Sequence, residues 1–374
     1  MSMEIPFYRM DISADEKKRI DDVLEGVCTN AVEDLEAAFE SYVGCSYALA
    51  TSHGTSALHL AMLAIDLKRG DKVICSVNAY PAVPEVVRHF DAEPLFIDVD
   101  EETFNINLDK LENYLADNKS KKLKAVIVSH IAGQPMNLER LYNIAKIYDV
   151  KIVEDASDAL GATYKGEKIG STGADITCFN FNTHLKKSVC SGGMLVSEDE
   201  DIIERAKLLR NHAMVVDEEG LEYIYDVVDI GSKYTMSNLD AAFILAQLEK
   251  QDTTVARQKE IAARFIKALS NVDHITLPVV KEDHTFAHFI VKVDKNRDSF
   301  ARTLLEKGIE TGLHYIPLHL MSYYKAKYSL RVNDFPVALR AFQQVLSIPL
   351  YASMTDKEID YICKTIVEIS KTRV

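Results

Sequence analysis

The chain has 374 residues, 47% of them hydrophobic, and it carries a formal net charge of −14 at pH 7. This length and apolar content predict a globular protein with one large and one smaller domain. The acidic balance argues against a nucleic-acid partner, because such a surface needs clustered Lys and Arg that displace counterions from phosphates.

Residues 1–7 lack the basic and apolar regions of a signal peptide, and no apolar run approaches the roughly 18 residues that a membrane span needs. We therefore expect a cytoplasmic protein without membrane contact. The six cysteines are scattered and form no CxxC pair, so neither a zinc site nor a disulfide framework is indicated. We expect buried free thiols and no bound metal.

Residues 52–58 form a short polar turn ahead of an apolar-periodic stretch, which predicts the start of a helix. The backbone N–H groups and hydroxyls of such a turn suit a phosphate, because they lie at the positive end of the helix dipole. An ordinary Ser or Thr N-cap explains the same residues. The turn alone does not decide between these two interpretations.

Short runs rich in Val and Ile then alternate with helix-length segments, at residues 72–75, 93–98, 125–129 and 151–154. This pattern predicts an α/β fold with a mainly parallel sheet covered by helices. Such sheets bind ligands beyond the carboxyl ends of their strands. Tyr80, His130 and Asp155 follow the first, third and fourth runs, which makes this edge the candidate site.

Residues 153–158 place two carboxylates, Asp155 and Asp158, just after an apolar strand. A buried Asp155 needs a cationic partner or several hydrogen-bond donors, and a protonated heteroaromatic nitrogen would serve. A helix N-cap directly after the strand is an equally good interpretation of these residues alone.

The second part of the chain changes pattern. Residues 238–264 predict one long helix, residues 276–293 predict strands and residues 299–307 predict another helix. These elements indicate a smaller C-terminal α+β domain. We place the large domain at residues 1–250 and the small domain at residues 251–374.

Read in order, many segments resemble the DegT/StrS group of sugar aminotransferases, which use pyridoxal phosphate (PLP). The matching segments are 54–60, 96–100, 103–106, 133–135, 154–156, 161–166, 192–193, 236, 240–242, 247–249, 314–319, 335–338 and 346–350. The resemblance implies the type I fold of PLP-dependent transferases, with a mainly parallel seven-stranded sheet. It also implies a homodimer with shared active sites that acts on a nucleotide-linked sugar.

The resemblance also assigns roles to single residues. Gly54 and Thr55 match the phosphate turn, and Tyr80 matches the aromatic side chain that stacks on the cofactor ring. Asp155 matches the carboxylate that pairs with the ring nitrogen and keeps it protonated. Near the C-terminus, the motif with His314, Tyr315 and His319 approaches the substrate in relatives.

One departure concerns the residue that binds the cofactor covalently. Aligned without gaps on residues 192–193, the Schiff-base lysine of the family falls on Leu185, which has no nitrogen. In relatives that lysine is both the covalent anchor and the base that moves a proton.

Other departures concern the same ligand. Asn180 stands where the family has a phosphate-binding Ser, Leu160 replaces a frequent His, and Asp158 replaces a Gln beside the ring hydroxyl. Lys233 replaces an Asn that reaches the phosphate of the partner subunit. Lys233 or Lys186 would be able to neutralise Asp158.

Three functional interpretations follow. In the first, the protein modifies a keto sugar nucleotide and holds the amine form of the cofactor, pyridoxamine phosphate (PMP), non-covalently, with His184 as base. In the second, Lys186 takes the lysine role and the protein is an ordinary aminotransferase. In the third, PLP is lost, and the protein is a divergent sugar-nucleotide enzyme or a non-catalytic partner subunit.

Overall fold

The computed structural model describes residues 3–181, 189–216 and 223–371. Within these ranges the strands are β1 Tyr47–Thr51, β2 Lys72–Ser76, β3 Glu93–Ile97, β4 Leu123–Ser129, β5 Lys151–Asp155, β6 Thr163–Tyr164, β7 Glu167–Lys168, β8 Ile176–Asn180, β9 Gly193–Ser197, β10 Met214–Val216, β11 Tyr225–Val227, β12 Ile275–Thr276, β13 Phe289–Val293 and β14 Val345–Ile348. The α-helices are α1 Ala14–Leu24, α2 Ala31–Val43, α3 Gly54–Ala64, α4 Ala82–Arg88, α5 Leu108–Asp117, α6 Leu138–Tyr148, α7 Glu200–Leu209, α8 Asn238–Glu249, α9 Gln251–Leu269, α10 Arg297–Glu306, α11 Ser322–Lys327, α12 Pro336–Gln344 and α13 Asp356–Lys371.

The large sheet has seven strands in the order β1-β9-β8-β5-β4-β2-β3. The strands from β8 to β3 pair in parallel, whereas β9 runs antiparallel to both of its neighbours. The four strand-like runs predicted from the sequence are β2 to β5. The predicted α/β fold with a mainly parallel seven-stranded sheet is confirmed.

Helices cover the two faces of this sheet, which explains why its strands are apolar on both sides. Along β2, Ile74 belongs to one buried cluster, with helices α2, α5, α6 and α8, while Val73 and Cys75 belong to the other, with α3, α4 and α7. Successive strand residues point to opposite faces. The run is therefore continuously hydrophobic rather than alternating.

A smaller antiparallel sheet, β12-β13-β14, packs with α9, α10 and α13. The predicted strands in 276–293 correspond to β12 and β13, and the predicted helix at 299–307 is α10. Ile5 joins the apolar core of this smaller sheet, and Leu318 and Tyr324 join the core beneath the large one. Apolar packing therefore crosses the proposed boundary at residue 250 in both directions.

The prediction of one continuous helix over 238–264 is wrong. The chain forms α8 and α9, separated at Lys250, whose φ is −104° and ψ is 7°. The Lys250 ammonium donates to the Asp11 carbonyl oxygen at 3.0 Å and lies 2.5 Å from a Glu16 carboxylate oxygen. Helix α8 is buried on nearly all sides and belongs to the core of the large sheet. Helix α9 buries one face in the core of the small sheet, so the two helices belong to different cores.

Residues 5–11 form an N-terminal strap along the small domain. Ile5 bridges to Ile309, and the Arg9 guanidinium donates to both carboxylate oxygens of Glu358 at 3.0 Å. These contacts join the start of the chain to its last helix. The first residues are therefore part of the small domain rather than a free extension.

The hairpin β10–β11 exposes a set of apolar side chains. Val215, Tyr225 and Val227 are about half exposed, and Ile230 just after the hairpin is 86% exposed. A group of exposed apolar side chains on neighbouring strands is typical of a protein contact site.

Candidate active site

Three residues that the sequence singles out lie at one edge of the large sheet. Asp155 ends β5, Asn180 ends β8 and Tyr80 follows β2. These strands run in the same direction, so their carboxyl ends meet at that edge. Gly193 begins the antiparallel β9 and is in register with Asn180, which places it at the same edge.

A tight backbone cradle forms where α3 begins. His53 occupies the cap position but its side chain makes no capping hydrogen bond, so the Ser or Thr N-cap interpretation is wrong. A Cβ atom on Gly54 would lie 2.5 Å from Asn180 Cβ, and one on Gly193 would lie 2.5 Å from the His53 carbonyl oxygen. Both positions therefore require glycine, and the first-turn N–H groups of Gly54 and Thr55 lack partners within the helix.

Asp155 is buried and surrounded by neutral donors. The Ser129 hydroxyl donates to Oδ2 at 3.2 Å, and the Ser157 hydroxyl and N–H donate to Oδ1 at 2.5 and 3.2 Å. Burial raises the pKa of the Asp155 carboxyl, and the nearby charge of Asp158 raises it further against the lowering effect of these donors. Residues 156–162 form turns rather than a helix, so the N-cap interpretation of Asp155 is also wrong.

Asp158 has a different environment, although it lies only three residues further on. Its Oδ2 accepts the Ala132 N–H at 3.1 Å, and its Oδ1 lies 3.5 Å from His288 Nε2. Burial alone would raise the pKa of this carboxyl, but His288 and, less strongly, His314 hold it below its ordinary value. Asp158 is therefore ionised at neutral pH.

The small domain supplies two stacked imidazole rings, one of which contacts Asp158. The His288 and His314 rings lie 3.7 Å apart between centroids at an interplanar angle of 14°, and His314 Nδ1 lies 2.7 Å from Ser347 Oγ. Phe7 of the N-terminal strap stacks on both imidazoles, with centroid distances of 6.2 and 5.8 Å. A Cβ atom on Gly312 would lie 2.6 Å from the Phe7 ring, so the ring rests directly on that glycine.

Two tyrosines complete the opening of the cleft. Tyr80 is 42% exposed, and its ring meets that of Tyr315 edge-on at 6.2 Å. The Tyr315 N–H donates to Asn78 Oδ1 at 3.2 Å, which ties the small-domain segment to the large sheet. Burial, followed by the charges of Asp158 and Asp155, raises the pKa of the Tyr315 hydroxyl well above its ordinary value.

Two other predicted site residues lie elsewhere. The Lys233 ammonium donates to Asn211 Oδ1 at 2.9 Å at the surface, so the prediction that Lys233 neutralises Asp158 within one chain is wrong. His319 is fully buried, with Nε2 3.1 Å from the Val332 carbonyl oxygen, and burial lowers its pKa. That environment is typical of a core histidine, and contact between His319 and substrate stays a prediction.

His184, Leu185 and Lys186 lie outside the described residues. The assignment of Leu185 to the lysine position, and the base roles of His184 and Lys186, therefore stay predictions from the sequence.

Sequence reasoning missed two contacts of the aspartates. Ser129 is in register with Asp155 on the neighbouring strand, so the strand alignment was a usable signal. His288 gave no such signal, because it precedes β13 in the other domain and only domain packing brings it to Asp158.

A cavity adjoins this group of residues. Its described lining includes Asn180, Asp158 and His288, together with amide and hydroxyl side chains from α8, α9 and the segment before β13: Gln247, Gln251, Thr254, Gln258 and Thr285. Apolar side chains, among them Phe181, Phe243 and Leu350, complete the lining, and this mixture of apolar and hydrogen-bonding groups suits a ligand with an apolar body and polar substituents.

Among the residues that the structure describes, no group of three or more His, Cys, Asp or Glu side chains is arranged to hold a metal ion. All six cysteines are among the described residues; none of them is joined in a disulfide, and four are buried. Across the same residues, no helix combines the length and the apolar character that a membrane span requires.

The seven-stranded sheet, the glycine cradle and the buried Asp155 at its carboxyl edge define a protein of the type I fold of PLP-dependent transferases. Over residues 10–367 the sequence matches the DegT/DnrJ/EryC1/StrS aminotransferase family. The chain belongs to this family.

Similar proteins agree with this assignment. An uncharacterized protein of Methanocaldococcus jannaschii, MJ1066, is 33% identical over 95% of both chains. GDP-perosamine synthase of Escherichia coli O157:H7 is 29% identical over 97% of this chain and 98% of its own. The proposed sugar aminotransferase Spr1654 of Streptococcus pneumoniae, solved in apo and PMP forms, superposes with a TM-score of 0.90 at 26% identity; the apo form matches 99% of this chain and 98% of its own.

Proposed function

We propose that this protein is an enzyme that modifies a nucleotide-linked keto sugar and holds a pyridoxal-derived cofactor, PLP or PMP, without a covalent bond to lysine. The substrate class is supported by the likeness to GDP-perosamine synthase, whose name specifies a GDP-linked amino sugar. The non-covalent mode is supported by Leu185 at the position where the family carries its lysine.

The observation that carries the proposal is the environment of Asp155. A buried carboxylate with three neutral donors and a raised pKa is stabilised by any cation that reaches it. A protonated pyridine nitrogen is such a cation. Asp155 would hold that proton on the ring, and Ser129 and Ser157 would fix the orientation of the carboxylate.

The other residues of the edge fit the same ligand. The N–H groups of Gly54 and Thr55 suit a phosphate at the start of α3, and Asn180 packs against Gly54. Tyr80 presents an exposed ring that can cover one face of a bound aromatic group. When bound, the cofactor supplies an electron-withdrawing ring that stabilises negative charge on the adjacent carbon.

Proton transfer in this proposal belongs to His184, which precedes Leu185 in sequence. A positioned histidine is a common general base, and such a group contributes roughly 100- to 10,000-fold in rate. Lys186 is the competing candidate. If Lys186 binds the cofactor covalently, the protein is an ordinary sugar aminotransferase.

We also propose a homodimer with shared active sites. The exposed apolar side chains of β10–β11, including Val215 and Tyr225, would be buried against a second copy. Lys233 would then be available to the phosphate of the partner subunit. Sedimentation of the wild type and of Tyr225→Asp tests this, because a surface aspartate at that interface should release monomers.

The cofactor proposal is tested with purified protein and added PLP or PMP. We expect saturable binding of at least one of them by calorimetry and no covalent adduct after borohydride reduction and mass spectrometry. A borohydride-fixed adduct on Lys186 would establish the ordinary aminotransferase instead. No binding of either compound would refute the proposal and favour a PLP-free enzyme or a partner subunit.

A Leu185→Lys variant provides the matched control. If the pocket accepts the cofactor, restoring the amine should give a yellow PLP complex that borohydride bleaches. A variant that binds PLP no better than an exposed-lysine control would argue that the pocket itself has diverged.

A further inference from the structure

Two carboxylates lie close together at the carboxyl edge of the sheet. Asp155 is buried, the side chain of Asp158 is 9% exposed, and the charge of Asp158 contributes to the raised pKa of Asp155. In the described part of the chain, neither carboxylate forms an ion pair with a lysine or arginine. The groups that face them are hydroxyls, backbone N–H groups, the imidazoles of His288 and His314, and the Tyr315 ring.

The described lining of the adjoining cavity also provides no cationic side chain for Asp155 or Asp158. It includes the ionised Asp158 but no lysine or arginine. Lys233 lies at the surface, where its ammonium is bonded to Asn211.

Asp158 can accept a further donor. Its contacts are one backbone N–H at 3.1 Å and the His288 nitrogen at 3.5 Å, which is long for a hydrogen bond. A carboxylate has about four acceptor positions, and a short bond from an ammonium is roughly twice as strong as a neutral one. A ligand with a second cationic group would therefore gain an interaction that a neutral ligand cannot make.

We propose that Asp158 is a specificity-determining residue that makes this pocket select the amine form of the cofactor, PMP, over the aldehyde form and the alcohol form. The inference rests on the proposed function. Asp155 matches the charge of a protonated ring nitrogen, and Asp158 matches the charge of the ammonium group. An aldehyde or a hydroxymethyl group at the same place leaves Asp158 without a cationic partner, while His288 and His314 hold Asp158 in position.

The test compares three ligands that share the ring and the phosphate: PMP, PLP and pyridoxine 5′-phosphate. Each is titrated by calorimetry, near neutral pH, into the full-length wild type, Asp158→Asn and Asp117→Asn. The last variant removes the same charge from an exposed position at the end of α5. Pyridoxine 5′-phosphate, with its neutral hydroxymethyl group, reports whether the pocket of each variant is intact.

We expect wild type and Asp117→Asn to bind PMP at least about tenfold more tightly than pyridoxine 5′-phosphate, which corresponds to about 1.4 kcal/mol. In Asp158→Asn the ratio should fall below about threefold, while pyridoxine 5′-phosphate still binds.

The other possible results separate a wrong role for Asp158 from a wrong proposed function. Equal affinities in wild type, or a preference for PMP that survives Asp158→Asn, would overturn the inference and leave the proposed function standing. Failure of all three ligands to bind would overturn the proposed function itself. Tight PLP binding with a borohydride-fixed bond to Lys186 would overturn both.

Discussion

Asp155 at the buried end of β5 and Asp158 in the turn that follows, with a side chain 9% exposed, are neighbouring carboxylates that are held in opposite ways. Among the residues that the structure describes, the donors to Asp155 are two hydroxyls and one backbone N–H, and burial raises the pKa of its carboxyl. Against the same effect of burial, His288 lowers the pKa of Asp158. Asp155 is thus arranged to bind a cation, whereas the charge of Asp158 is already partly stabilised by His288.

The comparison shows that burial alone does not decide the charge state of an acid. What decides it is whether the surrounding elements supply only hydroxyl and backbone N–H donors, as at Asp155, or imidazoles as well, as at Asp158. For Asp155 the donors come from the large sheet and its loop, whereas for Asp158 the imidazoles come from the small domain. The relative placement of the two domains therefore sets the properties of the second aspartate.

The largest expected effect is on ligand binding at Asp155. Asp155→Asn should weaken PMP binding by about 100-fold or more, because a buried ionic interaction with the ring nitrogen is lost. Calorimetric titration measures this. A loss below about threefold would contradict the assignment of Asp155 to the ring nitrogen.

Besides its effect on ligand preference, the same substitution at Asp158 should affect stability. Asp158→Asn is expected to destabilise the ligand-free protein by about 2 kcal/mol at pH 7, because it removes the charge that faces His288 while keeping the acceptor for Ala132. Urea unfolding of variant and wild type gives the difference. Equal midpoints and slopes would show that the contact with His288 contributes nothing to folding.

Asp155→Asn should change the stability of the ligand-free protein in the opposite direction, by about +1 kcal/mol at pH 7. A carboxyl whose folded pKa is raised favours folding only while it is protonated, and wild type loses that contribution as the pH rises through the folded pKa. The advantage of the variant should thus be absent below about pH 4 and should grow as the pH rises to 7. Urea unfolding across this range checks the sign, and a variant that is less stable at pH 7 would contradict it.

The smallest effect is expected from the donors of Asp155. Ser129→Ala removes the 3.2 Å bond and Ser157→Ala removes the 2.5 Å hydroxyl bond, so each should destabilise the protein by about 0.5–1.5 kcal/mol, with the larger loss at Ser157. Both substitutions should raise the pKa of Asp155, because a donor to its charged form is lost. The pH range over which stability falls should therefore shift upward. Thermal unfolding of the two variants at several pH values would show the order, and a larger effect at Ser129 would reverse the assignment of the stronger donor.

Much of the large domain was predictable from the sequence, because strands buried on both faces leave short continuous apolar runs that local composition reveals. The same reasoning placed Tyr80, His130 and Asp155 at one edge once the sheet was taken as parallel, whereas Asn180 was assigned to the site by the family resemblance. The structure bears out that edge, with Gly54 packed against Asn180.

The remaining features depend on contacts that local sequence does not contain. The break between α8 and α9 at Lys250 is associated with contacts to Asp11 and Glu16 near the start of the chain. Because these contacts are distant in sequence, the helical periodicity of residues 238–264 does not reveal the break. The contact between His288 and Asp158 requires the packing of two domains. Lys233 was predicted to face Asp158 because it matched a site position, but its location depends on the loop that pairs it with Asn211.

The N-terminal strap has a consequence for the order in which the molecule is completed during synthesis. The strands of the large sheet lie between residues 47 and 197, so that sheet can assemble while later residues are still being translated. Arg9 must wait for Glu358, 349 residues further along the chain, and Phe7 must wait for His288 and His314. The strap is therefore synthesised before the large sheet but reaches its final position after it, so a bulky substitution in the strap should disturb the packing of the small domain rather than that of the sheet.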